Sequence, residues 1–419
     1  FHDQLGYLSI VTDVASGNLD PVEPVTGTGV NHYPRAYYAA VGLIARMSGM
    51  DAVTAWNVVS SVIQLSAIVV LAVAMSVLAR RWWVGALAPL PFLTGTLSSL
   101  TTGSWLTPLE HHAVLWGPYG ALFSNNAETA GLSIVVIAIS TLALVWARPT
   151  GRVPRIAVSV FAAAALGALS GFQTYSFISG IYLVAGFVAA TQLRRANRWW
   201  IIATAASVLL VFIAGPMIAA KAGQLPTLIF GLMPAIPGLI RALIATRGVL
   251  ALYAAVTVAA AAPQIVWTVS GILSGDPFLT YRVASNVNLG VFEPATLIAS
   301  LPLLPPLVLV VAVAWWPRRS FVAVTLPSVL ATAPHLSLDA ARWGYAAPDR
   351  FWIDMFLLGG VALALGCARL LGGVPTRAEA RANPARRSTQ VRGWGAAGTK
   401  GSVRGKSVPA GRLGWMSRQ

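Results

Sequence analysis

The residues able to do chemistry in this chain are few, and they gather in a handful of short segments. The first is His2-Asp3-Gln4, the second Asn31-His32-Tyr33-Pro34-Arg35 and the third Glu110-His111-His112. Asp276 with Tyr281 and Arg282 forms a fourth. A fifth runs from His335 and Asp339 through Arg342 to Asp349, Arg350 and Asp354. Carboxylates and imidazoles accept protons, and a guanidinium offers a fork of N–H donors that matches phosphate. Arg35, Arg342 and Arg350 are therefore candidate phosphate ligands. Local structural roles compete with these. Asp349 follows Pro348 as a helix cap does, and Arg350 with Asp354 has the i, i+4 spacing of a bracing pair. Glu110-His111-His112 is open to a divalent metal if it lies in a loop. It lacks the H-E-x-x-H spacing, and no third clustered ligand accompanies it.

What must position these residues follows from composition. Hydrophobic residues make up 56% of 419 and charged residues 10%, and the mean hydropathy is +0.70. A soluble domain carries roughly 25% charged residues, so the chain reads as a polytopic membrane protein. Its apolar runs are about 20 residues long, the length of a helix crossing about 30 Å of hydrocarbon. They lack the alternation of barrel strands, which makes the fold an all-α transmembrane bundle. The lone Cys367 excludes a disulfide framework. The 26 arginines against 3 lysines fit the coding bias of a GC-rich bacterial genome. No Walker loop, G-x-G-x-x-G or G-x-S-x-G occurs, which argues against ATP-driven transport and dinucleotide chemistry.

The apolar runs are 52–79, 82–102, 127–147, 156–172, 174–192, 199–220, 226–246, 249–272, 295–316, 320–336 and 351–371. Between them stand Arg80-Arg81, Arg148 to Arg155, Arg194 to Arg198, Arg247 and Arg318-Arg319. Strict alternation through about eleven spans sends every one of these clusters to the same side, which the positive-inside rule makes cytoplasmic. The same count leaves 12 of the 13 carboxylates on the outer side, Glu379 excepted. The region divides into an external segment 1–51, a transmembrane domain 52–372 and a basic tail 373–419. Residues 35–48, with Tyr37, Tyr38, Val41 and Ile44 as an apolar stripe, are expected to form a helix lying along the outer interface. One further in-to-out span is expected before Phe1. The run 226–246 carries Pro226, Pro234 and Pro237 and is expected to be a kinked span, with Arg241 reaching the cytoplasmic interface. From Pro375 to Gln419 there are ten Lys/Arg and one Glu, so +9 of the +16 net charge sits in a Gly/Ser/Arg-rich tail. Such a tail is attracted to anionic lipid headgroups, and no nucleic-acid partner is expected.

His2-Asp3-Gln4, Tyr33-Pro34 and the helix after it together resemble the first external loop of the GT-C class of membrane glycosyltransferases. With Pro348-Asp349-Arg350 they are also similar to an actinobacterial multi-pass family of unassigned function. The likeness covers mainly 1–80 and 335–372. Where the class carries a pair of acids, this chain has His2-Asp3. The resemblance implies an outward-facing site that takes a sugar from a polyprenyl-phosphate donor to a cell-envelope glycan acceptor. Asp3 would be the base, or else a cap at a helix start, and His2 would orient it or be an interfacial histidine. Arg342 and Arg350, with Arg35, would engage phosphate. His2, His32, Tyr33, Glu110, His111 and Asp349 would complete the substrate site. No cofactor is certain. A transporter or flippase of lipid-linked glycans is the alternative, although ion-coupled transport normally uses intramembrane acids or histidines that are almost absent here. A non-catalytic scaffold for envelope assembly is a third reading.

Overall fold

A computed structural model describes residues 2–27, 29–93, 125–147, 151–193, 198–222, 230–281 and 348–372. Among them all regular structure is helical: α1 (His2–Ser16), α2 (Ala36–Ser48), α3 (Ala52–Ala79), α4 (Ala127–Ala147), α5 (Arg152–Ala168), α6 (Thr174–Leu193), α7 (Arg198–Ala222), α8 (Ile236–Ala245), α9 (Val249–Leu273) and α10 (Pro348–Gly372). Four described stretches are long and apolar enough to cross a bilayer: Ala52–Ala79, Ala127–Val145, Val153–Gly171 and Val249–Leu273.

Helix α3 shows how local sequence and surroundings agree. Asp51 caps it, its carboxylate accepting from the Thr54 N–H at 3.0 Å, and Arg80 ends it in a left-handed conformation (φ 54°). One face, with Ser60, Gln64, Ala67, Leu71, Ala74 and Leu78, is buried. The other presents Val58, Val62, Leu65, Val69 and Val73, each 43–61% exposed. Water does not tolerate a continuous apolar stripe of that length, whereas hydrocarbon does. The buried face joins Leu132, Val135, Leu166, Leu183, Leu358 and Leu365 in one core shared by α3, α4, α5, α6 and α10.

Interhelical contacts fix the helix directions. Asn57 meets Asn125 just before α4, so α3 and α4 run parallel, and Gly131 on Ser176 and Gly180 on Val135 make α4 parallel to α6. Gly372 lies on Leu78, so α10 ends where α3 ends. Helices α5 and α9 run parallel to each other and opposite to these, since Thr257 Oγ1 donates to the Ala163 carbonyl at 3.1 Å and Ser170 Oγ to that of Ala261 at 3.4 Å. The N-termini of α3, α4, α6 and α10 therefore share one end with the C-termini of α5 and α9. Asp20, Glu23, Asp51, Glu128 and Asp276 lie at that end, and Arg80, Arg81, Arg241, Arg247 and Arg369 at the other.

Four local outcomes differ from the sequence reading. Residues 2–16, placed in the external segment with no helix assigned over their length, form α1, which packs on α2 so closely that a Cβ at Gly42 would meet the Val11 carbonyl oxygen at 2.7 Å. The stripe on α2 faces protein: Tyr37, Tyr38 and Val41 are buried against α1 and α3, while Leu43, Ile44 and Met47 are the exposed apolar residues. The run from 82 starts as a 3-10 turn, Trp82–Leu87, and a single turn, Leu90–Leu93, folded back on α3 with Gly85 against the Ala72 carbonyl. Pro89 and Pro91 withhold two N–H donors and clash with a continuous helix, and 94–102 lie outside the described residues. In the run 226–246, a 3-10 turn at Met233–Ala235 leads into α8, whose 10 residues measure about 15 Å, half a bilayer. Arg241 Nε donates to the Gln192 carbonyl at 3.1 Å, meeting the unpaired carbonyls at the end of α6.

The α5–α9 crossing depends on Gly167, where a Cβ would collide with the Thr257 carbonyl. Gly167→Val should cost about 1–3 kcal/mol of overpacking, read as a lowered melting temperature in detergent. The Asp51 carboxyl is held below its ordinary value by hydrogen bonds from Thr54, first its hydroxyl and then its N–H. Its cap contribution is thus complete above the unfolded carboxylate value and lost as pH falls through the lowered folded one. Asp51→Ala should remove that acid-side loss from the pH profile of stability.

Candidate functional site

The acidic end is organised around the close of α9. Gly275, at φ 72°, ends the helix. Its N–H donates to the Ile272 carbonyl at 3.2 Å and that of Asp276 to the Gly271 carbonyl at 2.9 Å, the paired bonds of a Schellman cap. Pro277 then opens a short helix over 277–281. Asp276 caps it, Oδ1 accepting from the Leu279 N–H at 2.8 Å. That leaves the second carboxylate oxygen for a distant partner. Asp276 Oδ2 lies 2.7 Å from Nδ1 of His32, with the two side chains 5% and 12% exposed.

His32 is held on every side the structure describes. Its carbonyl accepts from Gln264 Nε2 and from Thr268 Oγ1, both at 3.2 Å. Its ring lies 4.8 Å from that of Trp267, whose Nε1–H donates to the Asn31 carbonyl at 2.8 Å. Gly271 makes room for the imidazole, since a Cβ there would sit 2.5 Å from His32 Cγ. With Nδ1–H donating to Asp276, the neutral ring presents Nε2 as an acceptor. No hydrogen bond reaches Nε2 from the described residues.

Around this pair the first 35 residues make an aromatic and acidic cover. Tyr7 of α1 stacks on Tyr38 at 4.5 Å and faces Tyr33 at 6.4 Å, and Tyr33 meets the edge of Phe278 at 5.3 Å. The hydroxyl of Tyr38 accepts from the Ala127 N–H at 3.4 Å, tying the cover to the start of α4. Burial drives the Tyr38 phenol well above its ordinary pKa and raises that of Tyr37, which hydrogen-bonds Ser60. Both therefore serve as neutral packing groups. Glu23, 2% exposed, accepts from the backbone N–H groups of Val25 (2.7 Å) and Thr26 (2.6 Å) and from the Thr26 hydroxyl. A cavity of about 10 Å³, the room of one water, lies between Tyr7, Glu23, Asn31, Tyr33 and Phe278.

The residues singled out from sequence fall into three groups. His32 and Tyr33 are brought together with Tyr7 and Asp276. Arg35 is engaged by the chain itself, Nη1 donating to the Pro21 carbonyl at 3.1 Å and Nη2 to Asp20 Oδ1 at 2.5 Å. It ties the start of α2 to Asp20 and Pro21. His2 and Asp3 occupy the first turn of α1, Asp3 one turn before Tyr7, and Asp349 and Arg350 the first turn of α10. Glu110, His111 and Arg342 lie outside the described residues. No group of three or more His, Cys, Asp or Glu able to hold a metal occurs among the described residues. Asp276 stood among the residues able to do chemistry but was given no site role, and its pairing with His32 is what sequence reasoning missed. Gly275-Asp276-Pro277 signals a helix stop and restart, but nothing local links it to a histidine 244 positions away.

Gly271→Ala supplies the test of this packing. It improves helix propensity by about 1 kcal/mol at an exposed site, yet here it should lower the melting temperature by displacing His32. The amides of 31–33 should exchange faster with deuterium. Comparison with protein-family models, curated proteins and solved structures finds no match to this chain.

Proposed function

We propose that this chain is a membrane glycosyltransferase that moves a sugar from a polyprenyl-phosphate donor to a cell-envelope acceptor at the outer face of a bacterial plasma membrane. The observation that carries the reading is the polarity of the bundle. Apolar flanks leave its sides to lipid, Arg80, Arg81, Arg241, Arg247 and Arg369 gather at one end, and the other holds carboxylates, a His–Asp pair and tyrosines beside residues 1–35, with Arg35 paired to Asp20. A donor with a lipid tail and a polar head meets such an end from the membrane side. The acceptor hydroxyl must lose a proton there. The GT-C resemblance gives that task to Asp3, on the first turn of α1 at the same end. Phosphate contact falls to Arg342 and Arg350, because Arg35 is occupied by Asp20. The bundle is GT-C-like in this reading, with about eleven spans, and the 373–419 tail lies on cytoplasmic anionic lipid.

One observation favours a second reading. Arg35 and His32, two of the residues expected to meet substrate, are both engaged by carboxylates of the chain itself, as in a non-catalytic envelope scaffold. Two measurements decide. Single cysteines replacing Asp20 and Arg81, in a Cys367→Ala background, should react with an impermeant maleimide from opposite sides of the membrane, Asp20 from outside. Labelling of both from one side removes the topology. The full chain in nanodiscs should transfer sugar from a panel of polyprenyl-phosphate-linked pentoses and hexoses to an alkyl glycoside. Binding of these donors without turnover selects the scaffold.

A further inference from the structure

We propose that His32, oriented by Asp276, rather than Asp3, is the group that takes the proton from the acceptor hydroxyl, a role that rests on the glycosyl-transfer reading above. Three observations converge on it. The 2.7 Å contact of Nδ1 with Asp276 Oδ2 fixes the ring tautomer and leaves Nε2 as the basic nitrogen. The ring plane is set by Trp267 and by the space over Gly271, and two hydrogen bonds to the His32 carbonyl anchor its backbone. The carboxylate is itself immobilised by capping the 277–281 helix, so the base and its orienting group are held in advance of substrate. Anchorage of this kind suits a base that must meet a hydroxyl within hydrogen-bond reach.

The step balances as follows. The acceptor oxygen bonds to the anomeric carbon as its proton passes to His32 Nε2. The bond from that carbon to the phosphate oxygen breaks, and its electron pair leaves with the polyprenyl phosphate. Asp276 stays ionised and stabilises the imidazolium, which returns its proton to water. Asp276 is a positioning residue, since it acts through His32.

The experiment uses the full chain in nanodiscs with the donor panel and alkyl glycoside already named. His32→Asn places an amide nitrogen where Nδ1 stood, keeping the contact to Asp276 while removing Nε2. His32→Gln does the reverse. If His32 is the base, His32→Asn should lower kcat by about 10²–10⁴-fold with KM little changed. Added imidazole should restore part of the rate, and the melting temperature should stay near wild type. His32→Gln should be similarly slow and also less stable. A His32→Asn protein within about twofold of wild-type kcat overturns the assignment. So does a slow His32→Asn protein that imidazole does not rescue and that melts earlier, which would make the pair a strut. Loss of turnover in Asp3→Asn with His32→Asn intact gives the proton to Asp3 and leaves the reaction standing. No transfer by the wild-type chain removes the reaction, and the base with it.

Discussion

Hydrocarbon excludes charge, and the rest of this structure follows from how the chain obeys that exclusion. The described parts of α3, α6 and α9 contain no Asp, Glu, Lys or Arg, and in α4 and α5 the charged residues, Glu128, Arg152 and Arg155, stand in the first turn. In these helices the described charges therefore stand at helix ends. Because α3, α4, α6 and α10 run one way and α5 and α9 the other, the ends at which charges collect are shared between neighbours.

The asymmetry of those surfaces has a structural source as well as a functional one. A helix N-terminus carries about half a positive charge and four unpaired N–H groups, and its C-terminus the converse. Four helices begin at the acidic end, and Asp51, Glu128 and Asp349 sit at or inside their first turns. Arg241 and Arg369 meet helix C-termini at the other end. Part of the separation between acids and arginines is therefore a consequence of parallel packing. Among the described residues, what helix dipoles leave unexplained is a set of acids away from such starts: Asp13, Asp20 and Glu23, all within residues 1–35.

The long elements were legible because their signals are local. A 28-residue apolar run after an Asp cap can only be α3, and 127–147 and 249–273 are found within a residue or two by the same reasoning. The failures occurred where tertiary contact overrides pattern. Residues 82–93 are apolar enough for a span, but two prolines and a glycine that fits the back of α3 turn them around. The tyrosines of α2 have the spacing of a stripe along the outer interface and yet meet α1, a helix whose periodicity Gly6, Asp13 and Ser16 dilute. At the site, His32 and Tyr33 were visible as residue types. Asp276 was visible as a residue type too, but not as the partner of His32, since a pairing across 244 positions leaves no trace in either neighbourhood.

The His32–Asp276 pair is hard to account for as a stabilising device. Desolvating a carboxylate and an imidazole costs several kcal/mol, and a pair of apolar residues of the same volume generally holds two segments together as well or better. The strap 31–33 already has other anchors: Trp267 to the Asn31 carbonyl, Gln264 and Thr268 to the His32 carbonyl, and the Tyr33–Phe278 contact. Removing the ionisable pair would leave those intact. The pair therefore adds little that packing needs, and it places one basic nitrogen, free of any partner among the described residues, at the acidic end of the bundle. Gly271, a helix-weakening residue retained where the imidazole must fit, points the same way: the fold gives up helix propensity to seat that ring.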